Sequence, residues 1–336
     1  MRIAVFIFWL VAGFVSICAG NASADPAKIR LSWVVVPGEL TPLMFIPSGV
    51  TRHEGKSYVV EETHFAAGPL AVTAFAAGNI DVAGFGYSTI ASAIQSGGAA
   101  DLRVIADVDQ DGVAGWYTNE YMVRGDSPLR RVEDLKGHVL AVNAVGGLVD
   151  IPLRAMLRQH GLDDKADVTI VEIAPPNMKA TLAEGKVDLI GTLPPFSMNP
   201  ALRSIARTLF TAKDAMGPQQ VSTLIARAEF IAKNRAALVD FLEDYIRAVR
   251  WFTDPTNHQA AVQILADFTK QPAALFDSWV FTQRDQYRNP NALIDPALLQ
   301  ANVDLLHKMG YVKAELDMRT YADASLVREA AARIAK

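Results

Sequence analysis

Between Lys28 and Ala106 short apolar runs alternate with helical stretches, and most changes fall at a glycine. That alternation restricts the chain to a parallel sheet covered by helices, because parallel strands need long crossovers. Lys28–Val36 reads as a strand buried on both faces and broken by Pro37-Gly38. A short helix is expected over 43–50 and a strand over 58–63. Gly68-Pro69 opens a helix that Gly78-Asn79 stops. Strand 80–85 follows, then a helix capped by Ser88 or Thr89 and ended by Gly97-Gly98, then strand 102–106.

The pattern then restarts. Strands are expected at 121–124, 138–143, 168–173 and 187–192, with a helical turn at 132–135. Helices are expected at 149–160 and 177–183. After one more strand at 221–227 the chain reads as helical: 230–251, 257–268, 272–285, 296–309 and 322–335. Two similar β/α halves followed by a helical tail suit a chain of two domains.

Residues 1–24 have the form of a cleavable leader: Arg2, an apolar run from Ile3 to Cys18, then Ala22-Ser23-Ala24. The run is short for a membrane span, and Ile17 before Cys18 does not suit lipid attachment. Cleavage after Ala24 would remove Arg2 and the single cysteine. The mature chain would keep 31 basic against 36 acidic residues, a net charge of −5. Without cysteine it has no disulfides, so packing alone must hold it. No basic run exceeds Arg130-Arg131, which argues against a nucleic-acid or anionic-membrane partner.

Three segments carry a resemblance: FAAGPLAVTAFAAGNIDVAGFGYSTI (65–90), YMVRGDSPLRRVEDLKGHVLAVN (121–143) and APPNMKATLAEGKVDLIGTLPPF (174–196). Gly78-Asn79-Ile80-Asp81-Val82 recurs as Gly185-Lys186-Val187-Asp188-Leu189. The chain resembles the periplasmic solute-binding proteins of the nitrate, sulfonate and taurine group of ABC importers. The resemblance implies an α/β, two-lobed periplasmic-binding-protein fold, each lobe a mostly parallel sheet flanked by helices. Lobe 1 would comprise 25–117 and 222–336. Lobe 2 would comprise 118–221, and two crossing strands would form the hinge. It also implies a periplasmic monomer that hands a small organic anion or zwitterion to a permease.

Ligands in open α/β sheets lie beyond the carboxyl ends of the strands, where helix N-termini present free N–H groups. That rule selects Val36, Pro37 and Gly38 after the first strand, Gly68 and Pro69, and Phe85, Gly86, Tyr87 and Ser88. In lobe 2 it selects Val145, Gly146 and Gly147 before a helix, and Pro194 and Phe196 after the last strand. The glycines serve either tight turns or close approach of a ligand. Trp116, beside the hinge, either stacks on a ligand or wedges the lobes. Turns this poor in hydroxyls suit an organic acid with an apolar body, a sulfonate or carboxylate, better than nitrate.

Other motifs lead elsewhere. Asp107, Asp109 and Asp111 open like a calcium loop, but Thr118 stands where the bidentate Glu belongs. They are read as lining the cleft mouth or capping a turn, or as meeting a cationic group on a zwitterionic ligand. The histidines have no ligand spacing, so no metal is expected, and no cofactor. Two alternatives remain open: an enzyme on this fold, of the menaquinone or pyrimidine-precursor biosynthesis type, or a ligand sensor partnered with a membrane receptor.

Overall fold

The structure is a computed structural model that describes residues 25–65 and 68–335. The expected leader over 1–24, residues 66–67 and the side chain of Pro69 lie outside the described residues.

Two five-stranded sheets organise the chain. The first contains β1 (Ala27–Trp33), β2 (Tyr58–His64), β3 (Val82–Gly86), β4 (Leu102–Asp111) and β10 (Gln219–Arg227), in the order β2-β1-β3-β10-β4. The second contains β5 (Glu120–Arg124), β6 (Val139–Val142), β7 (Thr169–Glu172), β8 (Leu189–Thr192) and β9 (Ala206–Thr211), in the order β7-β6-β8-β5-β9. In each sheet three strands run parallel and the fourth in order runs antiparallel to both its neighbours. The reversed strand is the one that arrives from the other sheet: β10 in the first, β5 in the second.

The repeated Gly-x-x-Asp string has a structural explanation. Asp81 accepts from the Arg30 amide (3.0 Å) and guanidinium, and its own amide donates to Arg30 O. Asp188 does the same in the second sheet, accepting from Val139 N at 2.9 Å and donating its amide to Val139 O. Each aspartate ties the start of one parallel strand to its neighbour, satisfying backbone groups that the ladder leaves open there.

Helices cover both faces. The first sheet carries α1 (Gly68–Ala76) and α2 (Tyr87–Gln95), with α7 (Ala228–Thr253), α8 (His258–Thr269), α9 (Pro296–Lys308) and α10 (Ser325–Ile334) from the C-terminal part. Its two faces form separate cores: Leu31, Val82 and Leu224 with Leu238, Leu242 and Tyr245 of α7, and Phe75, Phe85 and Ile90 with Leu299 and Val303 of α9. The second sheet carries α3 (Asp150–Gln159) and α4 (Pro175–Ala183), with the short α5 (Pro200–Arg203) and α6 (Ala212–Met216) at its edge. Each fully buried Leu or Phe is worth about 1.5–3 kcal/mol.

Some expectations fail for physical reasons. Residues 43–50 form turns, not a helix. Leu43 N and Ile46 N bond three residues back, and Pro47 and Gly49 interrupt any longer ladder. The expected helix at 272–285 is only a 3-10 turn, Ala273–Leu275, followed by turns. There the Asp285 carboxylate captures Phe281 N and folds the chain back. Residues 196–216, given no elements from sequence, carry α5, β9 and α6.

The chain crosses between the sheets through residues 112–119 and 217–218. The crossings lie side by side, since a β-carbon on Gly112 (φ +75°) would meet Gly217 O at 2.8 Å. Asn119, at the end of the first crossing, donates its amide to Asp111 of β4 and accepts from Ala212 N at the start of α6.

Candidate ligand cleft between the two sheets

The carboxyl ends of β1, β3 and β4 meet at one edge of the first sheet. The turn after β1 brings Val35 (exposed), Val36 (half-buried) and Pro37 (buried) to this edge. Gly84 and Gly86 leave a side-chain-free strip on β3. A β-carbon on Gly84 would lie 2.2 Å from Glu39 Oε2. One on Gly86 would lie 3.5 Å from both δ-methyls of Leu148, which comes from the second sheet. Glycine at 84 is therefore what lets the Glu39 carboxylate lie so close to the sheet, whereas at Gly86 a β-carbon would make only an ordinary contact with Leu148.

Gly68 lies beside the start of α2, where its β-carbon would sit 3.6 Å from Thr89 Oγ1. Of the selected first-side residues, Gly86 approaches Leu148 of the second side and Gly68 lies beside Thr89 of α2. No side chain caps α2, whose N-cap is Gly86. The expected Ser88 or Thr89 cap is not formed, so this N-terminus keeps its positive dipole end open.

The second-side turn differs from expectation. Its amides are taken by the protein itself: Val145 N donates to Glu172 (2.6 Å), Gly146 N to Asp150 (2.8 Å) and Gly147 N to Ala144 O (3.2 Å). Two acidic residues stand where free N–H groups for an anion were expected. Phe85 and Tyr87 are also corrected: at 2% and 0% exposure they belong to the core. Tyr87 starts the buried face of α2 with Ile90, Ala91 and Ile94, and its hydroxyl bonds Gln219 at 3.2 Å. Trp116 packs against Tyr287, ring centroids 5.3 Å apart, at the crossing. Pro194 and Phe196 are half-buried near Ser197, which Tyr117 reaches from the crossing at 2.8 Å.

Contacts bridge the gap. Tyr311, from the C-terminal part, bonds Asp150 Oδ2 at 3.0 Å, and Arg158 Nη1 donates to Met309 O. Ile151 of α3 packs into the core of the first sheet. Tyr311→Phe removes only the hydroxyl, a bond to a buried carboxylate worth about 1.5–3 kcal/mol. If closure carries ligand affinity, Kd should rise about tenfold or more with little loss of secondary structure, as calorimetry and circular dichroism would show.

Asp107, Asp109 and Asp111 are buried in β4, not arrayed at the cleft mouth. Asp107 is satisfied by Gln110, Gln220 and the Asn289 amide. Arg288, itself buried, pairs with Asp285 at 2.9 Å and donates to Pro37 O, fixing the β1 turn. Glu39 was missed in the sequence: it closes its own turn by accepting from Val34 N at 3.0 Å. Its only signal was an acid amid the apolar residues after Pro37-Gly38.

Burial pushes Glu39 up to about 8, Asp109 to about 7 and Asp107 to about 6. Unfolded, these carboxyls titrate near 4, so between pH 4 and 8 the folded chain holds more protons. Their contribution is complete below about pH 4 and is lost as pH rises through 6 to 8. Urea titrations should find the protein more stable at pH 5.5 than at pH 8, by on the order of 6 kcal/mol, about half of it from Glu39. A midpoint rising with pH over that interval would contradict the burial of these acids.

Two α/β sheets of the same strand order, joined by a double crossing, match the two-lobed periplasmic-binding-protein fold. The structure superposes with TM-score 0.72 on the periplasmic aliphatic sulphonate binding protein of Escherichia coli, at 23% identity over 88% of this chain and 97% of that one. The desulfurization enzyme DSZB shares the fold at TM-score 0.65 and 15% identity, over 92% of this chain and 99% of that one. Residues 22–266 match the NMT1-like family, and the chain belongs to it. It is 26% identical over 311 residues to an aliphatic sulfonates-binding protein of Escherichia coli (strain K12), covering 92% of this chain and 93% of that protein. It is also 26% identical over 174 residues to a nitrate/nitrite binding protein of Synechococcus elongatus, covering 49% of this chain but only 39% of that protein.

Proposed function

We propose that this chain is the substrate-binding component of an ABC importer, working in the periplasm after cleavage behind Ala24. Its ligand is a small organic acid, a sulfonate or carboxylate, held between residues 25–117 with 222–336 on one side and 118–221 on the other. The two bodies move about the paired crossings. The observation that carries this reading is the glycine strip Gly84–Gly86, faced by Leu148 and opening beside the uncapped N-terminus of α2. That helix end supplies N–H donors and positive potential for the acidic head, and Val35, Val36, Leu148 and Val145 supply apolar wall. The anion sits on α2, not on the second-side turn, whose amides are spent. The relatives at 26% identity are named for binding, which supports capture over catalysis.

Thermal-shift screening of alkane- and arenesulfonates, aromatic carboxylates and nitrate tests the assignment. A tight binder should raise Tm through its free energy of binding, bind one-to-one without turnover, and contract the scattering envelope. Tight binding of nitrate alone, or conversion of a bound acid to product, would reject it.

A further inference from the structure

Glu172 is an exposed acid without a counter-charge. It ends β7, at the carboxyl edge of the second sheet, where Val142 of β6 is its partner in register. Among the described residues it makes no ion pair, and its one hydrogen bond is accepted from the Val145 amide, 27 positions back, at 2.6 Å. The nearby acids are balanced: Asp150 by Arg154, and Asp164 by Arg154 and Arg158. The turn that Glu172 holds is the one that meets the first side, through Leu148 beside Gly86 and through Asp150 with Tyr311. Free amides ahead of a helix attract anions. Here a carboxylate of the protein has already taken the amide, and it brings a charge of its own.

We propose that Glu172 is a specificity-determining residue: it occupies the second-side amide that a small inorganic anion would need and repels such an anion by its charge, so that acids with an apolar body are selected. This rests on the organic-acid reading above and adds the group that enforces it. Nitrate and sulfate have no apolar surface, so leaving water is offset only by donors that surround them. The start of α2 offers donors from one side, and the opposite turn answers with Glu172 and Asp150. An organic acid needs donors for its head alone, because Val35, Val36, Val145 and Leu148 hold its body. Asp150 seals Gly146 N in the same way, but it is buried and its charge is met by Arg154. The charge of Glu172 is not offset, so it acts on a second anion at close range.

The test is calorimetry on the mature protein with nitrate, sulfate and propanesulfonate, for wild type, Glu172→Gln, Glu172→Ala and Glu184→Gln. Glutamine keeps an acceptor for Val145 N and removes the charge, so the preference for propanesulfonate over nitrate and sulfate should fall about tenfold. Alanine also frees the amide, and the preference should fall by about tenfold more. The fall should come from tighter binding of the inorganic anions, and in Glu172→Gln it should shrink as salt screens the charge. Glu184, exposed just past the end of α4 and paired with Lys186, is the control: Glu184→Gln removes the same charge away from this turn and should keep the wild-type preference. An unchanged preference in both Glu172 variants, or an equal fall in Glu184→Gln, overturns the role of Glu172 and leaves the organic-acid reading standing. Tight nitrate binding by wild type overturns the organic-acid reading and the role of Glu172 with it.

Discussion

Asp150→Ala is expected to lower the unfolding free energy by about 3–5 kcal/mol, the cost of stranding a buried partner charge. Asp150 is wholly buried at the first turn of α3. Its carboxylate takes Arg154 Nε at 2.8 and 2.9 Å, Gly146 N at 2.8 Å and the Tyr311 hydroxyl at 3.0 Å. Burial works against the Arg154 charge, yet Asp150 and Asp164 outweigh it and raise its pKa. Alanine leaves Arg154 with Asp164 alone, and orphans the Gly146 amide and the Tyr311 hydroxyl. Asp150→Asn keeps the shape and one acceptor, so it should lose less, about 1.5–3 kcal/mol. Because Asp150 also meets Tyr311 across the cleft, both variants should bind ligand more weakly than their stability loss alone explains. Urea melts with and without ligand separate the two effects. A variant as stable as wild type would mean that Arg154 finds water there.

Asp244→Ala should be comparably severe, about 3–5 kcal/mol, because three donors to one buried carboxylate lose their acceptor at about 1–3 kcal/mol each, but without a direct effect on the cleft. Asp244 is fully buried on α7. It accepts from Arg52 N at 2.7 Å, His53 N at 2.9 Å and Tyr58 OH at 2.8 Å. These bonds hold the irregular 41–57 segment, which has turns and no ladder of its own, to the long C-terminal helix. Tyr58→Phe, removing one bond, should cost about 1–2 kcal/mol. The pair of variants tells whether the carboxylate or the phenol anchors the segment. Hydrogen exchange at 41–57 should quicken in Asp244→Ala well before the rest of the first sheet opens.

The segments legible in the sequence were those whose structure is set locally. Helix 68–76 announced itself by Gly68-Pro69 and by the spacing of its apolar residues. The long α7 did so by one apolar face. Strands β1, β3 and β10 are short apolar runs between breakers, and the two Gly-x-x-Asp strings repeated visibly. Segments held by distant partners were misread. Residues 43–50 are broken by Pro47 and Gly49, and the chain just after them is tethered at Arg52 N to Asp244, 192 positions on. Residues 272–285 bend where Asp285 caps Phe281 and pairs with Arg288, which ties the bend to Pro37 O, 251 positions away. The site divides in the same way. Gly86, Gly68 and the α2 N-terminus lie where strand ends and helix starts must lie. Phe85 turned inward by the alternation of β3 and Tyr87 by the helix phase of α2, not by turn composition.

By itself the sequence determined the α/β alternation, its restart after the first half, the helical tail and the family, since periodicity and short motifs record local backbone preference. Only the tertiary structure decided which polar groups remain free to meet a ligand. Val145 and Gly146 lose their amides to Glu172 and Asp150, whereas Glu39 keeps an open oxygen over Gly84. Whether a donor or acceptor is already satisfied depends on partners brought together from far apart in the chain, and no local pattern of residues encodes that.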